Sequence, residues 1–543
     1  MKKNMLNILM AGCVCCGIAA ATACSEDSYG PDPSKDWAGT TTFFSSADDA
    51  AFLTYYNPAI GRCGDPMPFY DQKAQDFKVL YLQEYDNNGP CYHPFWGIST
   101  KDGASYQSLD EVLPTGRTVA EADAALGTGC AVYNEADGLY YIYYTGHTSE
   151  EVILRATSPD FKTWTKDQNW VLRGTDYGYS ATDFRDPQVF RADDGLWHMV
   201  ISSKLRFADF RSADLKTWEH VDGFNMVWDR MCECADIFQM GNYWYLVYSE
   251  AYRSDWSRKV KYMMATSFEG LKRCFDDPGA NWPRDGREGV LDTRAFYAGK
   301  TASNGTDRLI WGWCPYRVGS TIHDKNINVG AEGEPAWAGA LVCHKVIQHE
   351  DGTLTLGEVP AIAAKYNQQQ PVSVMASNGA TISGTSTSGT TVPDGFSSGT
   401  LTLSGDDAYV LYNRLGACNH LSFTVQTSNN WDRFGISLVR GSDSKKYYTM
   451  VVNPEEENVR KVNFEQEGEE GKGFIVGIDG YRFSRPADNT YNIDIYTDNS
   501  VCVMYINDDV CYTQRIYGIQ KNCWSINSYG GSITVSDVKV CQY

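Results

Sequence analysis

The chain has 543 residues and is acidic, with 47 Lys and Arg against 68 Asp and Glu and a formal net charge of −21. An acidic protein is repelled by phosphate backbones and anionic lipid surfaces, so this charge argues against nucleic acid or a membrane surface as a partner and favours a neutral one. The length exceeds that of one ordinary core and predicts two domains once any targeting segment is removed.

The N-terminus has the pattern of an export signal, in which a basic start precedes an apolar run over 5–23 and small residues lead to Cys24. Ala21-Thr22-Ala23-Cys24 resembles the cleavage box of bacterial lipoproteins, and Ser25-Glu26-Asp27 is similar to the acidic tag of Bacteroides-type surface lipoproteins. We therefore expect residues 1–24 to be a signal peptide and the exported protein to be lipidated on Cys24. It would meet the outer membrane, at the cell surface or the periplasmic face, only through that anchor.

Residues 25–41 are rich in Pro, Gly, Asp, Ser and Thr and predict a tether. After this tether, short runs rich in Tyr, Val, Ile and Trp alternate with Gly, Asp and Asn turns, as in Leu139-Tyr-Tyr-Ile-Tyr-Tyr144. Such runs are typical of strands, and no long amphipathic helix is predicted. The pattern indicates an all-β protein.

An internal repeat indicates the architecture. Ala156-Thr-Ser-Pro-Asp-Phe-Lys-Thr-Trp164 recurs as Arg211-Ser-Ala-Asp-Leu-Lys-Thr-Trp218, with fainter copies at Gly97–Asp102 and Ala265–Leu271. Each copy follows a predicted strand, so the repeating unit consists of antiparallel strands with a shared turn, as in the blades of a β-propeller. At about 60 residues per blade, the span 42–358 predicts five blades.

The C-terminal part differs in composition. Residues 359–400 are rich in Gln, Ser, Thr, Gly and Pro and predict a linker or an irregular sandwich edge, whereas residues 401–543 return to alternating strands, as in Tyr447–Val452. This part is predicted to be a β-sandwich that follows the propeller.

Three acidic residues stand in unusual contexts. Asp65 and Asp186 each precede a proline, which restricts their backbone to extended conformations, and the guanidinium of Arg185 could tune the charge of Asp186 or bind sugar hydroxyls. Glu233 interrupts an apolar run, where desolvation would raise its pKa and suit it to act as a general acid. Hydrolysis of a glycosidic bond generally needs two carboxyl groups, one to attack or activate water and one to donate a proton.

In this order the three motifs resemble those of glycoside hydrolase family 32, the fructan- and sucrose-cleaving enzymes, which have a five-bladed propeller followed by a β-sandwich. Gly64-Asp65-Pro66 is similar to the family's Asn-Asp-Pro, Arg185-Asp186-Pro187 to its Arg-Asp-Pro, and Glu233-Cys234-Ala235-Asp236 to its Glu-Cys-Pro-Asp. The resemblance implies that Asp65 is the nucleophile, Glu233 the acid/base and Asp186 the transition-state stabiliser. It also implies that the guanidinium of Arg185 binds substrate.

Secondary motifs extend the resemblance through both domains. Tyr81-Leu-Gln83, Phe95-Trp96-Gly97, Phe296-Tyr297-Ala298 and Trp337-Ala-Gly339 look like family motifs, and Ile493–Val501 is similar to part of the family's terminal segment. The resemblance implies further substrate-binding residues, which are Gln83, Trp96, Tyr297 and Trp337. The Asn that precedes the nucleophile in the family is replaced by Gly64, and the Asn-Gly that follows its proline is absent. The motifs therefore indicate the type of reaction more closely than the identity of the sugar.

The resemblance implies a retaining, exo-acting β-fructosidase for levan, inulin, fructo-oligosaccharides or sucrose, and we expect it to be a monomer. Two alternatives are an inverting propeller glycosidase that resembles family 43 and acts on arabinosides or xylosides, and a surface glycan-binding protein that has lost turnover. No metal or cofactor is expected, because the acidic residues lack calcium-loop spacing and the 8 His residues form no HExxH cluster.

Overall fold

The computed structural model describes residues 52–85, 89–224, 231–251, 258–273, 283, 289–315, 337–382, 385–389, 399–406, 408–440, 446–462, 481–516 and 519–543. Its regular structure is almost entirely β-strand, as the sequence predicts. The helical elements of the described part are α1 (Phe268–Lys272), α2 (Pro360–Ala363) and a 3-10 turn (Gly174–Tyr177). None of these described helices has the length and apolar character needed to cross a bilayer.

The N-terminal part consists of five antiparallel blades, numbered I to V. Their strands are β1 (Arg62–Asp71), β2 (Asp76–Glu84), β3 (Phe95–Thr100) and β4 (Gln107–Leu113) in blade I; β5 (Leu126–Asn134), β6 (Leu139–His147), β7 (Glu151–Ser158) and β8 (Thr165–Arg173) in blade II; β9 (Arg185–Arg191), β10 (Trp197–Ser203), β11 (Arg206–Ser212) and β12 (Glu219–Val221) in blade III; β13 (Met231–Met240), β14 (Tyr243–Ala251) and β15 (Arg258–Ala265) in blade IV; β16 (Tyr297–Ser303), β17 (Arg308–Pro315), β18 (Gly339–Gln348) and β19 (Leu354–Gly357) in blade V.

The first strands of the blades contact one another in the order β1, β5, β9, β13, β16 and back to β1, which closes a ring. Blade V is also joined to blade I by the pair Cys63↔Gly339. The five-bladed propeller that the sequence predicts is therefore confirmed.

Every first strand is irregular near its beginning. The register shifts fall between Gly64 and Met67, Gly127 and Gly129, Glu233 and Asp236, and Tyr297 and Lys300, and in blade III opposite Arg185–Gln188. Asp186, Cys234 and Ala298 have φ values of 58°, 53° and 54° within these shifts. The extended conformation expected for Asp186 before Pro187 is therefore wrong, because the bulge holds this residue in the left-handed region. Bulges re-aim side chains and are common beside active sites, and these five carry Asp65, Thr128, Asp186, Glu233 and Tyr297 within the shift or at its first residue.

The predicted repeat is a turn that follows the third strand of a blade. In blade II, Asp160 Oδ1 accepts hydrogen bonds from the backbone N–H groups of Lys162 and Thr163, and in blade III Asp214 does the same for Lys216 and Thr217. The faint copy in blade I has the same geometry, with Asp102 Oδ1 accepting from Ala104 and Ser105. The copy in blade IV differs, because Ser267 caps α1 by accepting from the Gly270 N–H.

The C-terminal part is one continuous antiparallel sheet folded into a sandwich. Its strands are β20 (Gln368–Gln370), β21 (Val374–Ile382), β22 (Thr385–Gly389), β23 (Leu401–Ser404), β24 (Tyr409–Tyr412), β25 (Cys418–Thr427), β26 (Phe434–Arg440), β27 (Lys446–Asn453), β28 (Asn458–Val462), β29 (Tyr481–Arg482), β30 (Thr490–Asp498), β31 (Val501–Ile506), β32 (Val510–Arg515), β33 (Cys523–Ser528) and β34 (Ser532–Gln542). Its core is a separate cluster of buried aliphatic and aromatic side chains.

The segment 359–400 is more regular than the sequence predicts. Helix α2 and strands β20, β21 and β22 lie within it, and β21 pairs with both β23 and β24 in the sandwich sheet. Its Ser- and Thr-rich composition resembles that of a linker, but alternating small and β-branched side chains also suit strands. The part of the expected linker that the structure describes after α2 therefore belongs largely to the sandwich.

The two domains share buried contacts. Asp498 Oδ2 accepts hydrogen bonds from the backbone N–H groups of Leu53, Thr54 and Tyr55, at the beginning of the described chain. Arg515 donates to the carbonyls of Cys314 and Pro315 at the end of β17. One hydrophobic cluster contains side chains from both domains, so the sandwich covers one side of the propeller.

Candidate active site

Asp65 lies in the bulge of β1, and donors from two other blades hold its carboxylate. The Trp313 indole Nε1 donates to Oδ1 at 2.9 Å, and the Thr128 hydroxyl donates to Oδ2 at 2.7 Å. Each oxygen keeps a further lone pair, because one donor occupies one acceptor position. Asp65 is thus a fixed, partly exposed carboxylate with its two oxygens held by blades V and II.

Glu233 lies at the beginning of β13. Its Oε1 is 3.2 Å from Arg185 Nη2, and its Oε2 accepts a hydrogen bond of 2.7 Å from the Tyr297 hydroxyl. The sequence predicts an apolar environment for this carboxyl; the structure instead places it between a guanidinium and a phenol, because the bulge turns the side chain out of the apolar strand. Glu233 remains partly exposed, so a substrate oxygen can reach it.

Asp186 lies near these two acids and is almost completely buried. Its backbone N–H donates to Thr145 Oγ1 at 3.0 Å, and its Oδ2 accepts from the Cys234 N–H at 2.9 Å. Burial, with a smaller contribution from the nearby charges of Glu233 and Asp65, raises the pKa of Asp186 to about 6 against the opposing effect of Arg185. The three predicted acids therefore form one electrostatically coupled group.

Arg185 links this group to a second set of acids. Its guanidinium contacts Glu151 and Asp183, each at 2.9 Å, in addition to Glu233. Burial alone would lower its pKa, but the surrounding carboxylates raise it above the ordinary value. Arg185 is therefore a permanently charged donor whose position is fixed by acids on both sides.

Glu151 anchors Arg185 from blade II. Burial opposes its ionisation, yet hydrogen bonding from His147 and the charge of Arg185 lower its pKa below the ordinary value. His147 Nδ1 lies 2.9 Å from Glu151 Oε1, and this contact raises the pKa of His147. The Phe184 N–H also donates to Glu151, which holds the chain directly before the Arg185-Asp186 pair.

Trp337 lies against the loop that carries Asp65. A Cβ atom on Gly64 would be 2.1 Å from Trp337 Cη2, so only glycine fits beside this ring. The Trp337 ring stacks on His93 with 4.7 Å between centroids and contacts Trp313 edge-on at 6.3 Å. The glycine that replaces the family's asparagine is thus explained by the position of an aromatic ring.

The other two predicted substrate-binding residues have different surroundings. Gln83 is 1% exposed, and its Nε2 donates to the carbonyls of Ile60 and Glu84. Trp96 is half-buried against the hydrophobic cluster that also contains Tyr297 and Trp313. The structure therefore brings Asp65, Asp186, Glu233, Arg185, Tyr297 and Trp337 together with the ring of bulges, and it places Gln83 as a support for the backbone before β1. Cys24 lies outside the described residues.

One group in the described part of the chain has the chemistry of a metal site. Asp292, His344 and Cys511 are buried where β18 of the propeller meets β32 of the sandwich. Asp292 Oδ2 lies 3.3 Å from His344 Nε2 and 3.5 Å from Cys511 Sγ, while Tyr505 bonds His344 Nδ1. These groups already bond one another, and none belongs to the ring of catalytic candidates.

Comparisons with known proteins agree with this geometry. The N-terminal domain of "Glycosyl hydrolases family 32" matches residues 58–358, more than half of the chain, and "GH32, BT1760-like, C-terminal domain" matches residues 352–540. The chain belongs to glycoside hydrolase family 32. Membership of family 32 makes it a glycosidase of the β-fructofuranosidase type, as the sequence predicts.

Known relatives and solved structures match most of the chain. It is 24% identical to a raffinose invertase of Escherichia coli, over 72% of this chain and 74% of the relative. An exo-inulinase of Aspergillus awamori has a similar structure, with a TM-score of 0.65 and 15% identity over 90% of this chain and 97% of the other. A sucrose-6-phosphate hydrolase of Lactobacillus gasseri gives 0.64 and 14%, over 91% and 94%. At this identity, the two structures support the propeller-and-sandwich fold.

Sequence reasoning missed three residues of the family 32 site. Trp313 and Thr128 lie in the segments Ile310–Trp313 and Gly127–Cys130, and nothing in those segments indicates that their side chains bind Asp65. Glu151 stands in a Glu-Glu pair that looks like an exposed turn. Only the closure of the ring brings it to Arg185.

Proposed function

We propose that the chain is a retaining, exo-acting β-fructosidase whose nucleophile is Asp65, whose acid/base is Glu233 and whose transition-state stabiliser is Asp186. The substrates are levan, inulin, fructo-oligosaccharides or sucrose. The observation that carries this proposal is the convergence of two separately held carboxylates, those of Asp65 and Glu233, whose charges both act on the buried Asp186. A double displacement at a sugar carbon requires two such carboxyl groups, one as the nucleophile and one as the acid/base.

In the first step, an Asp65 oxygen attacks the anomeric carbon of the fructosyl unit, and the bond from that carbon to the leaving oxygen breaks. Glu233 gives its proton to the leaving oxygen, so the alcohol or sugar departs neutral. Trp313 and Thr128 aim the attacking carboxylate, and they hold it in place without reorganisation during the reaction.

In the second step, Glu233 accepts a proton from water, and the water oxygen attacks the anomeric carbon and releases Asp65. The Tyr297 hydroxyl and Arg185 donate to Glu233 while it is ionised, which stabilises the form that acts as the base. Asp186, held by the Cys234 N–H, offers its other oxygen to the hydroxyls of the sugar as positive charge develops on the ring.

The test is incubation of the purified protein with sucrose, levan and inulin, and with arabinan and xylan as comparison polymers. We expect release of fructose from the first group and, with methanol added, formation of methyl β-fructoside, because a retaining enzyme transfers the sugar with the same configuration. Binding of these glycans without any released sugar would sink the hydrolase proposal. Release of arabinose or xylose alone would show that the substrate is an arabinoside or a xyloside and not a fructoside.

Glu233→Gln tests the acid/base assignment. The amide keeps the shape of the side chain but cannot transfer a proton, so kcat on sucrose should fall by about 10²- to 10⁴-fold while KM changes little. Asp65→Asn should abolish turnover, and mass spectrometry should detect no covalent fructosyl-enzyme in this variant. Unchanged kcat in Glu233→Gln would refute its role.

We also propose that the protein is an exported lipoprotein anchored through Cys24 and exposed at the outer membrane. The n-region, apolar run and Ala-Thr-Ala-Cys box of the sequence support this proposal. In a bacterial host, Cys24→Ser should move the protein from the membrane fraction to the soluble fraction and stop incorporation of labelled palmitate. An unchanged distribution would argue against the anchor.

A further inference from the structure

Trp431 is an exposed tryptophan at one end of the sandwich. Its side chain is 64% exposed, whereas the other tryptophans that the structure describes are buried or half-buried. An indole ring held in water keeps a large apolar face unpaired, and such a face is well suited to lie against the apolar face of a sugar ring. Trp431 therefore raises the question of what binds beside it.

The ring borders a cavity of about 580 Å³ built from three connections between strands. The connection from β25 to β26 supplies Trp431 and Arg433, the turn from β27 to β28 supplies Glu455 and Glu456, and the loop from β33 to β34 supplies Tyr529. The cavity therefore combines one exposed aromatic face with a guanidinium and exposed carboxylates, which are donors and acceptors for hydroxyl groups.

The loop that carries Trp431 is fixed before any ligand arrives. Asn429 Oδ1 accepts hydrogen bonds from the backbone N–H groups of Trp431 and Asp432, at 3.0 and 3.1 Å. Asp432 is buried and accepts from the N–H and hydroxyl of Ser428. Across the cavity, a Cβ atom on Gly531 would be 1.7 Å from Asp432 Oδ1, so the glycine lets the two loops approach. A rigid loop loses little entropy on binding.

From this arrangement we propose that the sandwich carries a second carbohydrate-binding site, in which a sugar unit of a neutral polysaccharide stacks on Trp431 and its hydroxyls bond Arg433, Glu455 and Glu456. The excess of carboxylates in the cavity disfavours anionic ligands. The site performs no chemistry. Only the choice of a fructan as the polymer rests on the proposed function of the propeller.

A second site acts on polymers alone. A polysaccharide held by the sandwich has its other sugar units at a raised effective concentration near the propeller. A disaccharide occupies one site at a time, so its affinity does not increase. The expected signature of the site is therefore a difference between polymeric and small substrates.

The binding experiment uses the full chain with Glu233→Gln, which keeps polymers intact, and measures affinity for levan, inulin, arabinan and xylan by affinity electrophoresis. Adding Trp431→Ala should weaken binding of the preferred polymer by about tenfold, the size typical of losing a central aromatic anchor. Trp431→Phe should retain part of the affinity, since a ring remains. Val119→Ala, at an exposed apolar residue of the propeller, is the matched control and should change nothing.

The kinetic experiment uses the active chain. Trp431→Ala should raise KM for the polymer and leave kcat and KM for sucrose unchanged, with an unaltered melting temperature. Equal affinity of the parent and Trp431→Ala for all four polymers, including no binding by either, overturns the second site. Weaker binding of a polymer by Trp431→Ala in a chain that releases no fructose would support the second site and overturn the proposed function instead.

Discussion

At the scale of single residues, the site is a set of acids that are each held by donors from a different blade. Asp65 is held by Trp313 and Thr128, and Glu233 by Tyr297 and Arg185. The donors are the neutral indole and hydroxyl groups and the permanently charged guanidinium of Arg185. The geometry of the site is consequently set by the closure of the ring.

Tyr297→Phe removes one donor without changing the shape of the core. The phenol bonds Glu233 Oε2 at 2.7 Å, and a hydrogen bond to a charged group contributes about 1.5–3 kcal/mol. We expect kcat on sucrose to fall by about 10- to 100-fold, measured by steady-state kinetics. Tyr141→Phe is the control, because its hydroxyl bonds Asp137 away from the site. Full activity of Tyr297→Phe would mean that Glu233 does not depend on this contact.

Asp186→Asn separates the stability of the protein from its activity. The ordinary carboxyl pKa of 3.8 is raised by burial to about 6 in the folded protein, so the folded state holds the proton more tightly. Stability should therefore fall as pH rises from about 4 to about 6, by roughly 3 kcal/mol for this group. An amide does not ionise, so the variant should melt at a higher temperature than the parent at pH 7 but not at pH 4, and should be inactive. A difference in melting temperature that is independent of pH would contradict this.

The candidate site could be predicted only as far as local motifs reach. Asp65, Asp186 and Glu233 each stand next to a proline or a cysteine in a recognisable pattern, and they were found. Trp313 lies 248 residues from Asp65 along the chain, and its contact with Asp65 exists because blade V closes on blade I. Contacts made across the ring produce no characteristic spacing of residues in the sequence. The donors that hold the acids therefore could not be assigned.

At the scale of elements, the bulges explain why an antiparallel strand can present a catalytic side chain at its beginning. A regular strand alternates its side chains between two faces, whereas a bulge places an extra residue at the point where the blades meet. The repeat of the turn after the third strand was predicted correctly from the Asp-x-Lys-Thr pattern. The bulges were not, since their residues share no sequence pattern beyond the family motifs.

Gly64→Ala tests the bulge of β1. The added Cβ would overlap Trp337 Cη2 at 2.1 Å, so either the indole or the strand has to move, and Asp65 moves with the strand. We expect a clear loss of kcat together with a lower melting temperature. Gly89→Ala is the control, because its nearest neighbour lies at 4.0 Å. If the clash is the cause, adding Gly64→Ala to a Trp337→Ala chain should have little further effect, which a double-mutant cycle measures.

At the scale of the whole molecule, the sandwich supports the propeller on which the site is built. At the beginning of the described chain, three backbone N–H groups donate to Asp498 of the sandwich. At the end of β17, which carries Trp313, a backbone carbonyl accepts from Arg515 of the sandwich. The order of a propeller followed by a sandwich was predicted from the sequence. For the segment 359–400 the sequence left a linker and an irregular sandwich edge open, because polar strands have the composition of a linker.

Arg515→Met should therefore affect stability and activity together. The guanidinium is 1% exposed and donates to the carbonyls of Cys314 and Pro315, directly after Trp313. Methionine fills much of the space but leaves buried carbonyls without donors, at a cost of about 3 kcal/mol in the free energy of unfolding. Because the end of β17 is then released, Trp313 holds Asp65 less well and kcat should fall by about tenfold.

Arg482→Met, at an exposed arginine of β29, is the control for loss of charge. A chain that loses stability in urea unfolding but keeps full kcat would show that the sandwich supports the fold without positioning the nucleophile.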